Sequence, residues 1–226
     1  MILKRLAKYL FLLMLVALFI VPAQPLTNEA LVIGRVHYQG GGDWYGNKTS
    51  LKNMLQHFAA TTGAFVAAKE RVVKLTDPAF MQIPILYIAG HGNIVFSPSE
   101  QRNLRTYLTQ GGFLFIDDDY GLDEYIRREM RKVFPQKTFI EIGASDKLFR
   151  EPFVFAEGAP KIHEHHGGQP RVFGLFHQGN LICIYTYNTD ISDGCEDAGI
   201  HDDSEDIRRQ ALNFSTNILW RALSIP

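Results

Sequence analysis

Apolar residues gather in short runs along this chain, and several of the runs, those at 30–38, 83–89 and 113–116 among them, end in polar stretches that contain glycine. Residues 30–38 alternate well enough to form a first strand, which leads into the turn Gly40-Gly41-Gly42-Asp43-Trp44-Tyr45. Leu51, Met54, Leu55 and Phe58 then recur at helical spacing, predicting a helix capped by Thr49 or Ser50 that runs to about Thr62. Residues 71–75 read as a second strand. Residues 83–89 read as a third, apolar throughout as a strand covered on both faces is.

Ser97-Pro98-Ser99-Glu100 is a capping box with proline at the first helical position, and Gly111-Gly112 closes the helix it starts. A strand at 113–116 follows at once. The helix at 123–133 has acids at its start and Arg127, Arg128, Arg131 and Lys132 later, the order that suits a helix dipole. Residues 138–142 read as a further strand and 143–168 as irregular. Two more strands meet at the hairpin signal His177-Gln178-Gly179-Asn180. The last helix, at about 204–223, buries Ile207, Ala211, Phe214, Ile218 and Leu219. Alternating strands and helices predict an α/β, flavodoxin-like three-layer sandwich whose mainly parallel sheet gains a late antiparallel hairpin.

The 226 residues, 46% of them hydrophobic and 21% charged, fit one globular domain, which we place at 31–223. A net charge of -1 lacks the basic footprint of a nucleic-acid binder. Lys4, Arg5 and Lys8 precede an uncharged apolar run at 9–21, followed by Pro22-Ala23-Gln24-Pro25. This is the layout of a signal peptide at 1–23 with a cut after Ala23, and Val21 at the -3 position leaves an uncleaved anchor as the alternative. The expectation is an exported protein, periplasmic or anchored facing the periplasm, with membrane contact only through that segment. Of the two cysteines, Cys183 lies in an apolar alternating run and reads as a small buried hydrophobe, while Cys195 lies in a polar loop. The spacing alone does not bring them within bridging distance.

In an open α/β sheet, ligands bind outside the carboxyl ends of the strands, and that is where this chain places its chemistry. His91, between Gly90 and Gly92, sits at a turn shaped like a nucleophile elbow but carries neither serine nor cysteine there, so it is a catalytic imidazole or a loop-bonding one. Alternation sends Asp117 and Asp119 to one side and Asp118 to the other. Carboxylates this close need a cation among them, or capping bonds and an arginine. His163 and His165 share one face of an extended segment, and with Glu164 they are candidate ligands for a divalent metal such as Zn. Gly41, Gly42, Asp43, Trp44, Tyr45 and Asn93 are candidate ligand-binding residues, the aromatic pair as a stacking wall for sugar or peptide. Asp190, Asp193 and His201 complete the set, whereas Asp202, Asp203, Glu205 and Asp206 read as helix-entrance acids.

Taken in order, Gly-Gly-Gly-Asp-Trp-Tyr, Gly-His-Gly-Asn with Phe-Ser-Pro-Ser-Glu, Asp-Asp-Asp-Tyr-Gly with Arg-Arg-Glu-Met, Lys-Ile-His-Glu-His and Asp-Ile-Ser-Asp-Gly resemble the bacterial domain-of-unknown-function family 4159 over about residues 31–223. The resemblance implies a flavodoxin-type fold of the class I glutamine-amidotransferase-like kind in exported or membrane-anchored proteins, and no established activity. It also disfavours glutamine hydrolysis, because His91 stands where the wider amidotransferase fold carries cysteine. Two functions remain open. One is metal-assisted hydrolysis at a pocket of Asp43, His91, Asp117, Asp119, His163 and His165. The other is a non-catalytic envelope module that binds a polar ligand or an envelope protein.

Overall fold

The computed structural model describes residues 29–165 and 167–224, so the signal segment expected at 1–23 lies outside the described residues. The described residues form one seven-stranded sheet: β1 (Ile33–Val36), β2 (Arg71–Val73), β3 (Ile85–Ile88), β4 (Phe113–Asp117), β5 (Ile140–Glu141), β6 (Arg171–His177) and β7 (Asn180–Tyr187). Its order is β2-β1-β3-β4-β7-β6-β5. Strands β2, β1, β3, β4 and β7 are mutually parallel, and the β6–β7 hairpin brings in the antiparallel pairs. The fold is therefore the three-layer α/β sandwich that the sequence pattern predicts.

Helices α1 (Ser50–Thr62) and α5 (Glu205–Leu223) cover one face, and α2 (Pro98–Thr109) and α3 (Asp123–Val133) the other; a short turn of helix, α4 (Ile191–Gly194), follows β7. The period-2 pleat of β4 divides the core between the layers. Phe113 and Phe115 join Leu51, Leu55, Phe214 and Ile218 on the α1/α5 side, and Leu114 and Ile116 join Leu104, Ile126 and Met130 on the α2/α3 side. The same pleat carries past the strand end. Asp117 therefore faces the α1/α5 layer and Asp118 the α2/α3 layer.

Local signals mostly act as the sequence reads. Ser97 and Glu100 close a full capping box at α2, and Ser204 caps α5 through the N–H of Ile207. The start of α1 is different. Thr49 makes no side-chain cap; instead Glu196 Oε1, from the loop after α4, accepts the N–H groups of Thr49 and Ser50 at 2.8 and 3.1 Å. The strand expected at 138–142 shrinks to Ile140–Glu141 at the sheet edge, in register with Gly174 and Phe173 of β6, and Ile142 N–H adds one further bond to Val172 O at 2.8 Å. Cys183 and Cys195 are both buried and free. No helix among the described residues is long and apolar enough to cross a membrane.

Candidate functional site

The strand order reverses between β1 and β3, the switch point where an open sheet leaves a crevice at its carboxyl ends. The loop after β1 and the loop after β3 meet there. Gly42 N–H donates to Asn93 O at 2.9 Å, and Val95 N–H to Gln39 O at 2.7 Å. A Cβ on Gly42 would stand 2.7 Å from His91 O, so this close approach needs glycine. Gly41, with φ +94°, has open space around it. Asp43 Oδ1 accepts the backbone N–H of His91, and Asp43 Oδ2 lies 3.1 Å from His91 Nδ1. His91 is thus an exposed imidazole oriented by a carboxylate. Asn93 turns the other way, its Oδ1 accepting Arg128 at 2.9 Å. Trp44 stacks on His37 with centroids 4.1 Å apart and packs against the core, which leaves Tyr45 as the exposed member of that wall.

One strand further on, Asp117 is fully buried and fully bonded. Its Oδ1 accepts Thr186 Oγ1 and Thr189 Oγ1, and its Oδ2 accepts the N–H and the hydroxyl of Ser192, whose Oγ also accepts Tyr87 Oη at 2.5 Å. Burial pushes the Asp117 carboxyl up to about 6, with the Ser192 and Thr186 bonds pulling against it. Asp118 points to the opposite layer, where it accepts the N–H groups of Tyr120 and Leu122 and meets Tyr185 Oη. Among the described residues it pairs with no arginine: Arg127 pairs with Asp123 and Arg128 with Glu129.

Asp119 is also buried. Its Oδ2 accepts Asn47 Nδ2 at 2.9 Å, and its Oδ1 has no hydrogen-bond partner among the described residues. Burial first, then the charges of Asp117, Asp193 and Asp190, hold the Asp119 carboxyl well above the usual carboxylate range. Asp190, in a left-handed conformation at the end of β7, is raised to about 8 by burial and then by Asp117 and Asp193, with Lys161 acting more weakly in the other direction. Asp193 Oδ1 is a second buried oxygen with no hydrogen-bond partner among the described residues.

The extended segment after residue 160 brings two imidazoles to these carboxylates. Its anchor is Ile162, whose N–H donates to Thr189 O at 2.9 Å. His165 Nε2 lies 2.5 Å from Asp190 Oδ2, while His163 Nδ1 lies 3.3 Å from Asp193 Oδ2 and 3.9 Å from Asp190 Oδ2. On its other side, His163 Nε2 is 3.0 Å from Asp203 Oδ1. Two sets place one donor atom from each residue within 4.8 Å of the others: His163, His165 and Asp190, and His163, Asp193 and His201. Glu164, expected as a ligand, belongs to neither set; it is exposed and pairs with Lys161 at 2.9 Å.

These features coincide with a wider likeness. A family model described as a domain of unknown function, DUF4159, matches residues 32–223. The chain belongs to this family. Comparison with curated proteins gave no match. In this DUF4159 chain, then, the structure brings His163, His165, Asp190 and Asp193 together beside Asp119 and Asp117, and sets His91 and Asp43 at the neighbouring switch point. The two parts adjoin. Tyr38, whose hydroxyl is pushed up by burial and then by Asp43 and Asp119, lies between them, and a Cβ on Gly121 would stand 4.0 Å from Gly92 N.

Sequence reasoning passes over Asp203, Asn47, Ser192 and Thr186. Asp203 looks like one more helix-entrance acid, and only its distance from His163 sets it apart. Asn47 carries a visible signal, since asparagine tolerates the left-handed φ of +50° it adopts here beside glycine.

Proposed function

We propose that this DUF4159 domain binds a divalent cation at the ends of β4 and β7 and hydrolyses a polar substrate there. The observation that carries this reading is a pair of buried carboxylate oxygens without a hydrogen-bond partner among the described residues, Asp119 Oδ1 and Asp193 Oδ1, on carboxyl groups that act on one another and, through Asp193 and Asp190, adjoin two imidazoles. A buried carboxylate without a partner is costly, and a cation among the carboxylates would remove that cost. His163, His165, Asp190 and Asp193 would hold the ion, and their nitrogen and oxygen donors suit zinc. Asp203 supports the assignment: a ligating histidine commonly gives its other ring nitrogen to a carboxylate, which fixes the ring. The ion would supply Lewis acidity and lower the pKa of a bound water. His91, oriented by Asp43 and exposed in the adjoining crevice, would take up and return the proton. Tyr45 would border the substrate. The sequence pattern at residues 1–23 supports placing this activity outside the cytoplasm.

Elemental analysis and zinc titration of the full chain test the reading. It expects about one ion per chain, lost in His163→Ala and in Asp190→Asn, and a melting temperature that rises with zinc. His91→Ala keeps the metal and loses hydrolysis of model esters and phosphoesters. Metal-free protein whose melting ignores zinc overturns it.

The second reading is a non-catalytic envelope module on an amidotransferase-like scaffold. The buried state of both thiols favours it over thiol catalysis, since burial holds Cys183 and Cys195 well above the usual thiol range. Under this reading His91→Ala leaves partner capture intact and no model substrate is turned over.

A further inference from the structure

We infer that the domain has a second ligand site, a basic cavity between α3 and the β5–β6 end of the sheet that takes a small, ring-sized organic anion. The cavity, of about 160 Å³, is lined by Arg127, Met130, Arg131, Lys137, Phe139 and Leu175. For scale, an engineered apolar cavity of about 150 Å³ accommodates benzene.

The charge around this cavity is unbalanced. Arg127 and Arg131 stand one helical turn apart, a like-charge spacing that weakens a helix unless something else neutralises it. The neighbouring basic residues of α3 are treated differently: Arg128 and Lys132 both pair, at 2.7 Å, with the buried carboxylate of Glu129. On the cavity side, Arg127 has Asp123 at 2.6 Å, Lys137 Nζ donates to the backbone carbonyl of Phe176, and Arg131 makes no hydrogen bond or ion pair among the described residues. Three cations therefore border the cavity against one carboxylate.

The cavity is also built to present a flat cation. The Arg127 guanidinium lies 4.5 Å from the ring centroid of Phe173, 5.3 Å from that of Tyr185 and 5.7 Å from that of Phe139. Held on three rings and by the Asp123 carboxylate at Nε, the guanidinium is fixed in advance, and little side-chain freedom remains to be lost when its other N–H groups meet a carboxylate or phosphate. Phe139, Met130 and Leu175 supply apolar wall for a ring beside the charge. An anion carried on a small ring satisfies both surfaces at once, which a bare inorganic ion does not.

Calorimetric and NMR titration of the full chain tests this with four probes: benzoate, phenyl phosphate, neutral benzyl alcohol and cationic benzamidine. The two anions are expected to saturate one site, to weaken as salt rises, and to lose at least about tenfold in affinity in Arg131→Glu, since a hydrogen bond to a charged group is worth about that factor or more. Arg131→Glu is expected to fold, because the side chain is exposed; Arg127→Gln gives a second reading. Benzyl alcohol or benzamidine binding as tightly as benzoate, anion binding unchanged in Arg131→Glu, or no saturable binding up to the solubility of the anions each overturns the proposal. Anion binding abolished by His163→Ala also overturns it, because the anion would then sit at the strand-end site. The outcome is independent of the cation proposal, as Arg131→Glu is expected to leave zinc binding unchanged.

Discussion

Nε2 of His163 lies 3.0 Å from Asp203 Oδ1, across the loop that enters α5. This contact settles which ring nitrogen turns inward: with Nε2 committed to Asp203, Nδ1 is the atom presented to Asp193 and Asp190. Asp203→Asn is therefore expected to keep the fold and the ligand set but weaken zinc binding by about 10- to 100-fold, the usual effect of losing an orienting carboxylate. Competition titration against a chromogenic chelator measures it. An unchanged affinity in Asp203→Asn would mean that His163 is not oriented for an ion.

Asp119→Asn separates the carboxylate's charge from its shape. With Oδ1 buried and unpartnered, the wild-type carboxyl destabilises the cation-free chain when ionised. The amide removes that charge and still offers Oδ1 to Asn47. Thermal melting in chelator is expected to be equal to wild type or higher, while the zinc-induced rise shrinks. A large loss of melting temperature without zinc would show that the charge itself holds the fold together.

How much of this was legible in the sequence follows from the range of the interactions. The Ser97–Glu100 box, the Gly-rich turns and the pleat that splits Asp117 from Asp118 are local, and local pattern carries them. The meeting of His163 and His165 with Asp190 depends on residues 161–165 running alongside the end of β7, fixed by the bond from Ile162 N–H to Thr189 O, and no periodicity encodes that. Glu164 shows the limit of adjacency. It sits between the two histidines in sequence yet joins neither donor set, because it is exposed and pairs with Lys161 instead. The start of α1 fails locally for the same reason, because Glu196 supplies the cap from 147 residues away.

That distant cap yields its own test. Glu196→Ala removes the acceptor for two N–H groups at the first turn of α1, and is expected to cost about 1–2 kcal/mol in urea unfolding. Arg208 is unaffected as a bystander, since it bonds the Glu196 backbone carbonyl. A loss below about 0.3 kcal/mol would mean that water caps the helix equally well.

Stability in chelator is expected to fall as pH rises. The Asp117 carboxyl moves from its ordinary 3.8 to about 6 on folding and Asp190 to about 8, so between about pH 4 and pH 8 the folded chain holds more protons than the unfolded one. Stabilisation from these raised values is complete below about pH 4 and is lost as pH climbs through each folded value. Asp117 alone corresponds to about 3 kcal/mol. Melting scans at pH 5 and pH 8 with chelator check the direction, and zinc at pH 8 is expected to narrow the gap. Melting that rises between the two pH values would contradict the burial-driven shifts.

Gly90 and Gly92 flank His91 and should respond very differently to alanine. Both have positive φ, +130° and +78°. A Cβ at Gly92 meets nothing within 4 Å, so Gly92→Ala is expected to carry only the backbone cost of about 1–2 kcal/mol. A Cβ at Gly90 would stand 2.4 Å from Tyr38 Oη and 2.8 Å from Asp43 Oδ1. Relief therefore requires both neighbours to shift, Tyr38 from its buried bond to Ala89 O at 3.0 Å and Asp43 from the oxygen that accepts the His91 N–H. Gly90→Ala is therefore expected to cost about 2–4 kcal/mol and to abolish the His91–Asp43 contact. NMR of the His91 ring alongside urea unfolding reads both effects. Equal behaviour of the two variants would show that the turn, rather than the Tyr38–Asp43 packing beneath it, holds His91 in place.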